Sequence, residues 1–151
     1  MALAAGILFL APATPVAAAV TTEGQQIVRI AKNQVSDPWR YGASGPSAFD
    51  CSGLVIYAYK QAGDGQAIKA GTLRSARAMY LDFKARGKTS RHNPRKGDLV
   101  VWGGGSHIGI YIGRGKAVST LRNGVRVHGV FAVTATFTAY IHTGMSTKSL
   151  S

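Results

Sequence analysis

Two periods divide the chain. Between residues 23 and 86 apolar side chains recur every three or four positions, and after Pro94 they alternate with polar ones. Thr22, followed three positions later by Gln25, has the form of a capping box, and Ile27, Ile30, Ala31 and Val35 continue it at helical spacing. This predicts a first helix over 23–35, stopped by Asp37-Pro38. A loop rich in glycine and serine, YGASGPSAFD, leads to a second helix over 51–61, with Leu54, Val55, Ala58 and Tyr59 as its apolar stripe and Gly63 as its stop. Asp50 or Ser47 is its N-cap, which leaves Cys51 in the first turn. A third amphipathic helix, 73–86, is introduced by Thr72 and closed by Gly87. Beyond Pro94, short runs of valine, isoleucine and aromatics are separated by glycine clusters and by Asn123-Gly124, as in antiparallel hairpins. Helices first and a meander of strands afterwards predict an α+β domain with the helices on one face of the sheet. FTAYIHTG reads as the last strand, and residues 145–151 as a polar C-terminal tail.

At 151 residues there is length for one domain. Residues 1–19 are uncharged, carry an apolar run over 3–10 and end in Ala17-Ala18-Ala19, the pattern of a cleaved signal peptide. Pro12 and Pro15 interrupt the run before it could span a bilayer, so export without lasting membrane insertion is expected, with a folded domain over 20–144. Eighteen basic residues against six acidic ones give a net charge of +12, a field that gathers polyanions of any kind. Zinc-finger spacing and stripes of aromatics among arginines are both missing, which argues against a specific nucleic-acid partner. The densest basic cluster, RHNPRKGD, reads as a solvated loop.

Chemistry concentrates on the one cysteine. A single thiol in an exported chain has no internal partner for a disulfide. In the first turn of a helix, Cys51 meets the positive end of the macrodipole and unpaired backbone N–H groups, which favour thiolate and could hold an oxyanion. Of the four histidines, His92 falls in the basic loop, and His128 and His142 fall in later strands as rim or surface residues. His107 differs. Alternation puts it on one face with Gly109 and Tyr111, with Ile108, Ile110 and Ile112 on the other, and Gly109 would let a helix bring Cys51 close. An orienting hydroxyl depends on the next turn. A three-residue loop at Arg114-Gly115-Lys116 puts Ser119 on the histidine's face, and a two-residue loop puts Thr120 there. A cysteine–histidine pair of this kind calls for no metal and no cofactor.

YGASGPSAFDCSGLVIYAYKQAG, RKGDLVVW and SHIGIYIGRGKAVST, in this order, resemble the NlpC/P60 family of papain-like cysteine peptidases over residues 27–141. The resemblance implies helices packed on an antiparallel sheet of five to six strands. It also implies hydrolysis of bacterial cell-wall stem peptides, between D-γ-glutamyl and a diamino acid, by a secreted monomeric enzyme. Carried over by position, Cys51 is the nucleophile, His107 the base and Ser119 the third residue, where the family more often has histidine. Asp50 and Ser52 match positions that take the free amino end of the stem peptide and shape the site. Trp39 stands where the family's Y-x-W-G segment has tyrosine, and Tyr41 where it has the second aromatic. The same chemistry would serve a phage-derived lysin or an antibacterial toxin. Two rivals do without it: a wall-binding module on the same scaffold, and a basic protein whose partner is nucleic acid or anionic lipid.

Overall fold

The computed structural model describes residues 2–14 and 22–150. Residues 2–14 form no helix or strand, and Leu3, Ile7, Leu8, Phe9 and Leu10 are exposed. The expected cleavage-site alanines, Ala17 to Ala19, lie outside the described residues. Among the described residues no helix is long and apolar enough to cross a membrane.

Helix α1, Glu23–Lys32, starts with the expected capping box: Thr22 Oγ1 accepts from the Gln25 N–H at 3.2 Å, and the Gln25 side chain accepts from the Thr22 N–H at 3.1 Å. It ends at Lys32 rather than Val35, because the chain turns through Ser36, whose φ is 84°. Helix α2, Cys51–Gln61, is capped by Asp50 and not by Ser47, with Asp50 Oδ1 accepting from the Gly53 N–H at 2.6 Å. Gly53 is required there. A Cβ would lie 1.9 Å from the Ala43 carbonyl oxygen, so the preceding loop folds directly onto the helix start. Helix α3, Ala76–Ala85, begins later than expected and is capped by Ser75, whose Oγ accepts from the Ala78 N–H at 3.1 Å. Thr72, the expected start, belongs to a separate turn in which its N–H donates to Lys69 O. Leu73 packs against the core from that turn, which is why it fits the apolar stripe without being helical.

The strands are β1 (Thr89–Ser90), β2 (Leu99–Trp102), β3 (His107–Gly113), β4 (Lys116–Leu121), β5 (Gly124–Gly129) and β6 (Phe137–Ile141). They form one antiparallel sheet in the order β1-β6-β2-β3-β4-β5. The meander therefore runs only from β2 to β5, and β6 returns to the far side of β2. Leu99, Val101, Ile108, Ile110, Val118 and Ile141 face the helices and build the main core with Ile27, Leu54, Val55 and Met79. On the opposite face Val100, Trp102, Tyr111, Ala117 and Tyr140 form a smaller cluster with Val130 and Phe137. The α+β architecture is the one expected. Residues 145–150 are not a free tail: Met145 is buried, and the Met145 and Lys148 carbonyls accept from the Gly24 and Glu23 N–H groups. They thus satisfy the first turn of α1, whose amides have no helical partner.

Candidate active site

Two faces of the sheet meet at the site. Helix α2 packs on the isoleucine face of β3, and its N-terminus reaches the start of that strand, where the Ile108 backbone hydrogen-bonds the Cys51 thiol. His107, one residue earlier, belongs to the opposite face and lies against the Trp102 ring, with centroids 5.1 Å apart. Gly109 is needed, but not for the approach of a helix. A Cβ there would meet Ser119 Cβ and the Val118 carbonyl oxygen at 2.8 Å and the Trp102 ring at 3.3 Å. The glycine makes room for Ser119 behind the histidine.

Ser119 is completely buried, and its Oγ lies 3.0 Å from His107 Nε2. The turn that sets this register combines both alternatives read from the sequence. Gly113 pairs with Lys116 across a two-residue turn, and a register shift between Tyr111 and Gly113 then restores the parity of a three-residue loop. Tyr111 pairs with Ala117, Ser119 falls on the histidine's face, and Thr120 Oγ1 is buried with no hydrogen-bond partner among the described residues. A further residue joins them. His128, expected at the rim, places Nε2 2.6 Å from Ser119 Oγ and Nδ1 2.9 Å from the Gly129 carbonyl oxygen. His142, also expected at the rim, is bonded to Asp98 at 3.0 Å and to Ser90 at 2.6 Å, away from the cysteine.

Burial governs the ionisation of the pair. It pushes the Cys51 thiol above its usual value, helped by the neighbouring Asp50 charge. Hydrogen bonds from the backbone of Ile108, Ser52 and Cys51 itself pull the other way without prevailing. The expectation of a lowered thiol pKa is therefore corrected: the helix start does favour thiolate, but desolvation outweighs it. Burial and the adjacent His128 push the His107 imidazole down to about 4. Burial thus favours the neutral thiol and the neutral imidazole in the resting site.

A cleft of about 610 Å³ opens over the pair and is lined by Trp39, Tyr41, Asp50, Cys51, Ser52 and His107, together with Arg74, Arg77 and Arg122. Tyr41 is exposed, and Trp39 lies under the Arg122 guanidinium at 4.8 Å. Asp50 is not open to an incoming amine. Its Oδ1 accepts from the Gly53 N–H, the Ser52 hydroxyl and Arg74 Nη1, and its Oδ2 from the Gly42 N–H and Arg74 Nη2. Ser52 Oγ in turn accepts from Arg74 Nη1 at 2.7 Å. Apolar periodicity places Arg74 inside the third helix, which hides its reach to the cleft. Once Ser75 is recognised as the cap, Arg74 lies outside the helix and is free to reach the cleft.

The NlpC/P60 family profile matches residues 36–146. The chain belongs to the NlpC/P60 family. Among curated proteins it is 36% identical over 116 residues to "Probable endopeptidase Cgl2188" of Corynebacterium glutamicum, covering 75% of this chain and 50% of that protein. It is 34% identical over 113 residues to the murein DD-endopeptidase MepH of Escherichia coli, covering 68% of this chain and 40% of that protein. The chain thus spans half or less of the length of these relatives. The NlpC/p60 domain of the peptidoglycan hydrolase SagA superposes with a TM-score of 0.62 at 26% identity, over 78% of this chain and 97% of that one. The peptidoglycan hydrolase RipB of Mycobacterium tuberculosis gives the same TM-score and identity over 80% of this chain and 64% of that one.

Proposed function

We propose that the chain is a cysteine peptidase that cuts peptidoglycan stem peptides, at the bond between D-γ-glutamyl and the diamino acid. The observation that carries this reading is a cysteine at the start of α2 and an imidazole that line one open cleft, with the imidazole's Nε2 3.0 Å from a buried hydroxyl. With Nε2 turned to Ser119, Nδ1 of His107 is the nitrogen left for the thiol. It takes the Cys51 proton as Sγ attacks the amide carbonyl, and the backbone N–H groups at the helix start receive the oxyanion. His107 then gives the proton to the leaving amine, and water, deprotonated by the same nitrogen, hydrolyses the thioester. Because the resting pair is neutral, proton transfer accompanies attack rather than preceding it. Ser52, Trp39 and Tyr41 shape the substrate side of the cleft, while Asp50 acts as helix cap and as the anchor of Arg74. The relatives named as endopeptidases and peptidoglycan hydrolases support the substrate class. The uncharged start and Ala17-Ala18-Ala19 support export to the wall, where a monomer with net charge +12 meets an anionic polymer. Digestion of purified muropeptides tests the reading. The native chain is expected to create a free amino group on the diamino acid that Cys51→Ala does not, and intact muropeptides with both proteins would overturn it.

A further inference from the structure

Three neighbouring strands contribute one polar side chain each to a single row: His107 from β3, Ser119 from β4 and His128 from β5. The donors in this row follow from its far end. The Gly129 carbonyl can only accept, so His128 Nδ1, at 2.9 Å, carries the proton. In a neutral His128 the other nitrogen is then a bare acceptor, and its only hydrogen-bond partner among the described residues is the Ser119 hydroxyl at 2.6 Å, which must donate to it. Having spent its one proton there, Ser119 can only accept from His107 Nε2 at 3.0 Å. That fixes His107 with hydrogen on Nε2 and a lone pair on Nδ1. The Trp102 ring lies against both imidazoles, with centroids at 5.1 and 5.6 Å, and donates its own Nε1–H to the Val130 carbonyl at 2.7 Å, so it does not compete for the row.

We propose that His128 is a positioning residue for the cysteine–histidine pair, setting through Ser119 the tautomer in which His107 can act as base. The proposal rests on the hydrolytic reading above. A serine alone could not do this. Its hydroxyl can turn either way, and, buried with no other hydrogen-bond partner among the described residues, it would send its proton to His107 Nε2 and force the hydrogen onto Nδ1. The imidazole would then have no lone pair for the thiol. His128 removes that alternative by accepting the hydroxyl proton.

Nitrogen-15 NMR of the histidine rings in the native chain, at a pH where both are neutral, reads the tautomers without substrate. The expected pair is Nε2–H on His107 and Nδ1–H on His128, and the opposite pair overturns the proposal. His128→Phe is expected to shift His107 toward Nδ1–H and to slow both Cys51 alkylation by iodoacetamide and peptide cleavage by about ten- to hundred-fold. His128→Gln, which keeps an acceptor near the Nε2 position, is expected to recover most of that loss. In a Ser119→Ala background His128→Phe should cost nothing further, because no hydroxyl is left to orient. Losses that multiply instead, or a His107 tautomer untouched by His128→Phe, would overturn the proposal. The two claims separate: native tautomers as expected in a chain that cuts no stem peptide leave the relay standing and remove the hydrolytic reading. Cleavage by a chain with His107 carrying Nδ1–H does the reverse.

Discussion

Gly109 and Ser119 share one small volume, and the histidine depends on both. A methyl group at Gly109 would sit 2.8 Å from Ser119 Cβ and from the Val118 carbonyl oxygen, neither of which can swing aside. Gly109→Ala is therefore expected to destabilise by about 1–3 kcal/mol in urea denaturation and to slow cleavage by moving Ser119 off His107. The ionisation of His107 makes a second prediction. Its folded pKa, about 4, lies below the unfolded value of 6.5, so the neutral form is favoured by folding. That stabilisation, roughly 3 kcal/mol by linkage, is complete above pH 6.5 and is lost as pH falls through about 4. As the base of the proposed reaction, His107 would keep its lone pair down to that range, so kcat/KM should fall on the acid side near pH 4; an acid limb near 6.5 would contradict a desolvated imidazole. Cys51 and His107 were legible in the sequence because a lone thiol, a helix cap and strand alternation each mark position without tertiary knowledge, whereas alternation left Ser119 and Thr120 open and the resemblance alone chose Ser119. His128 was not legible, since its partner lies diagonally across a strand pair. The signal was present in the turn: pairing Leu121 with Gly124 sets Ser119 opposite Arg126 and puts His128 on the same face.

At the scale of elements, the N-terminus of α2 is where fold and site are the same object. Asp50 caps the helix and holds Arg74, whose guanidinium is about half exposed, so the cap should carry more of the stability than the ion pair. Asp50→Ala is expected to lose about 1 kcal/mol or more, while Asp50→Asn, an equally good cap, should retain most of it. Equal losses in thermal denaturation would show that the ion pair dominates. The three helices and the hairpin of β3 and β4 could be read from periodicity and turn residues. The start of α3 and the placement of β6 could not. A half-buried Leu73 imitates a helical position from within a turn, and β6 returns beside β2 through contacts distant in sequence, which no local pattern encodes.

For the molecule as a whole, charge and cleft act together. Arg74, Arg77 and Arg122 at the cleft belong to a chain of net charge +12, a field suited to the carboxylate- and phosphate-rich wall polymer of the proposed function. Retention of Cys51→Ala on isolated sacculi should weaken steadily as salt shortens the screening length below about 10 Å, and salt-independent retention would point to a shape-specific contact instead. The proposed function makes Cys51 the site of a thioester with the glutamyl side of the stem peptide. The measurement that tests it most directly is acid quenching of the native chain during turnover of a muropeptide, followed by mass spectrometry of its peptides. An acyl mass on the peptide that contains Cys51, matching the N-terminal product and missing from Cys51→Ala, is the expected result. Turnover that persists in Cys51→Ala, with no adduct on the native chain, would contradict it.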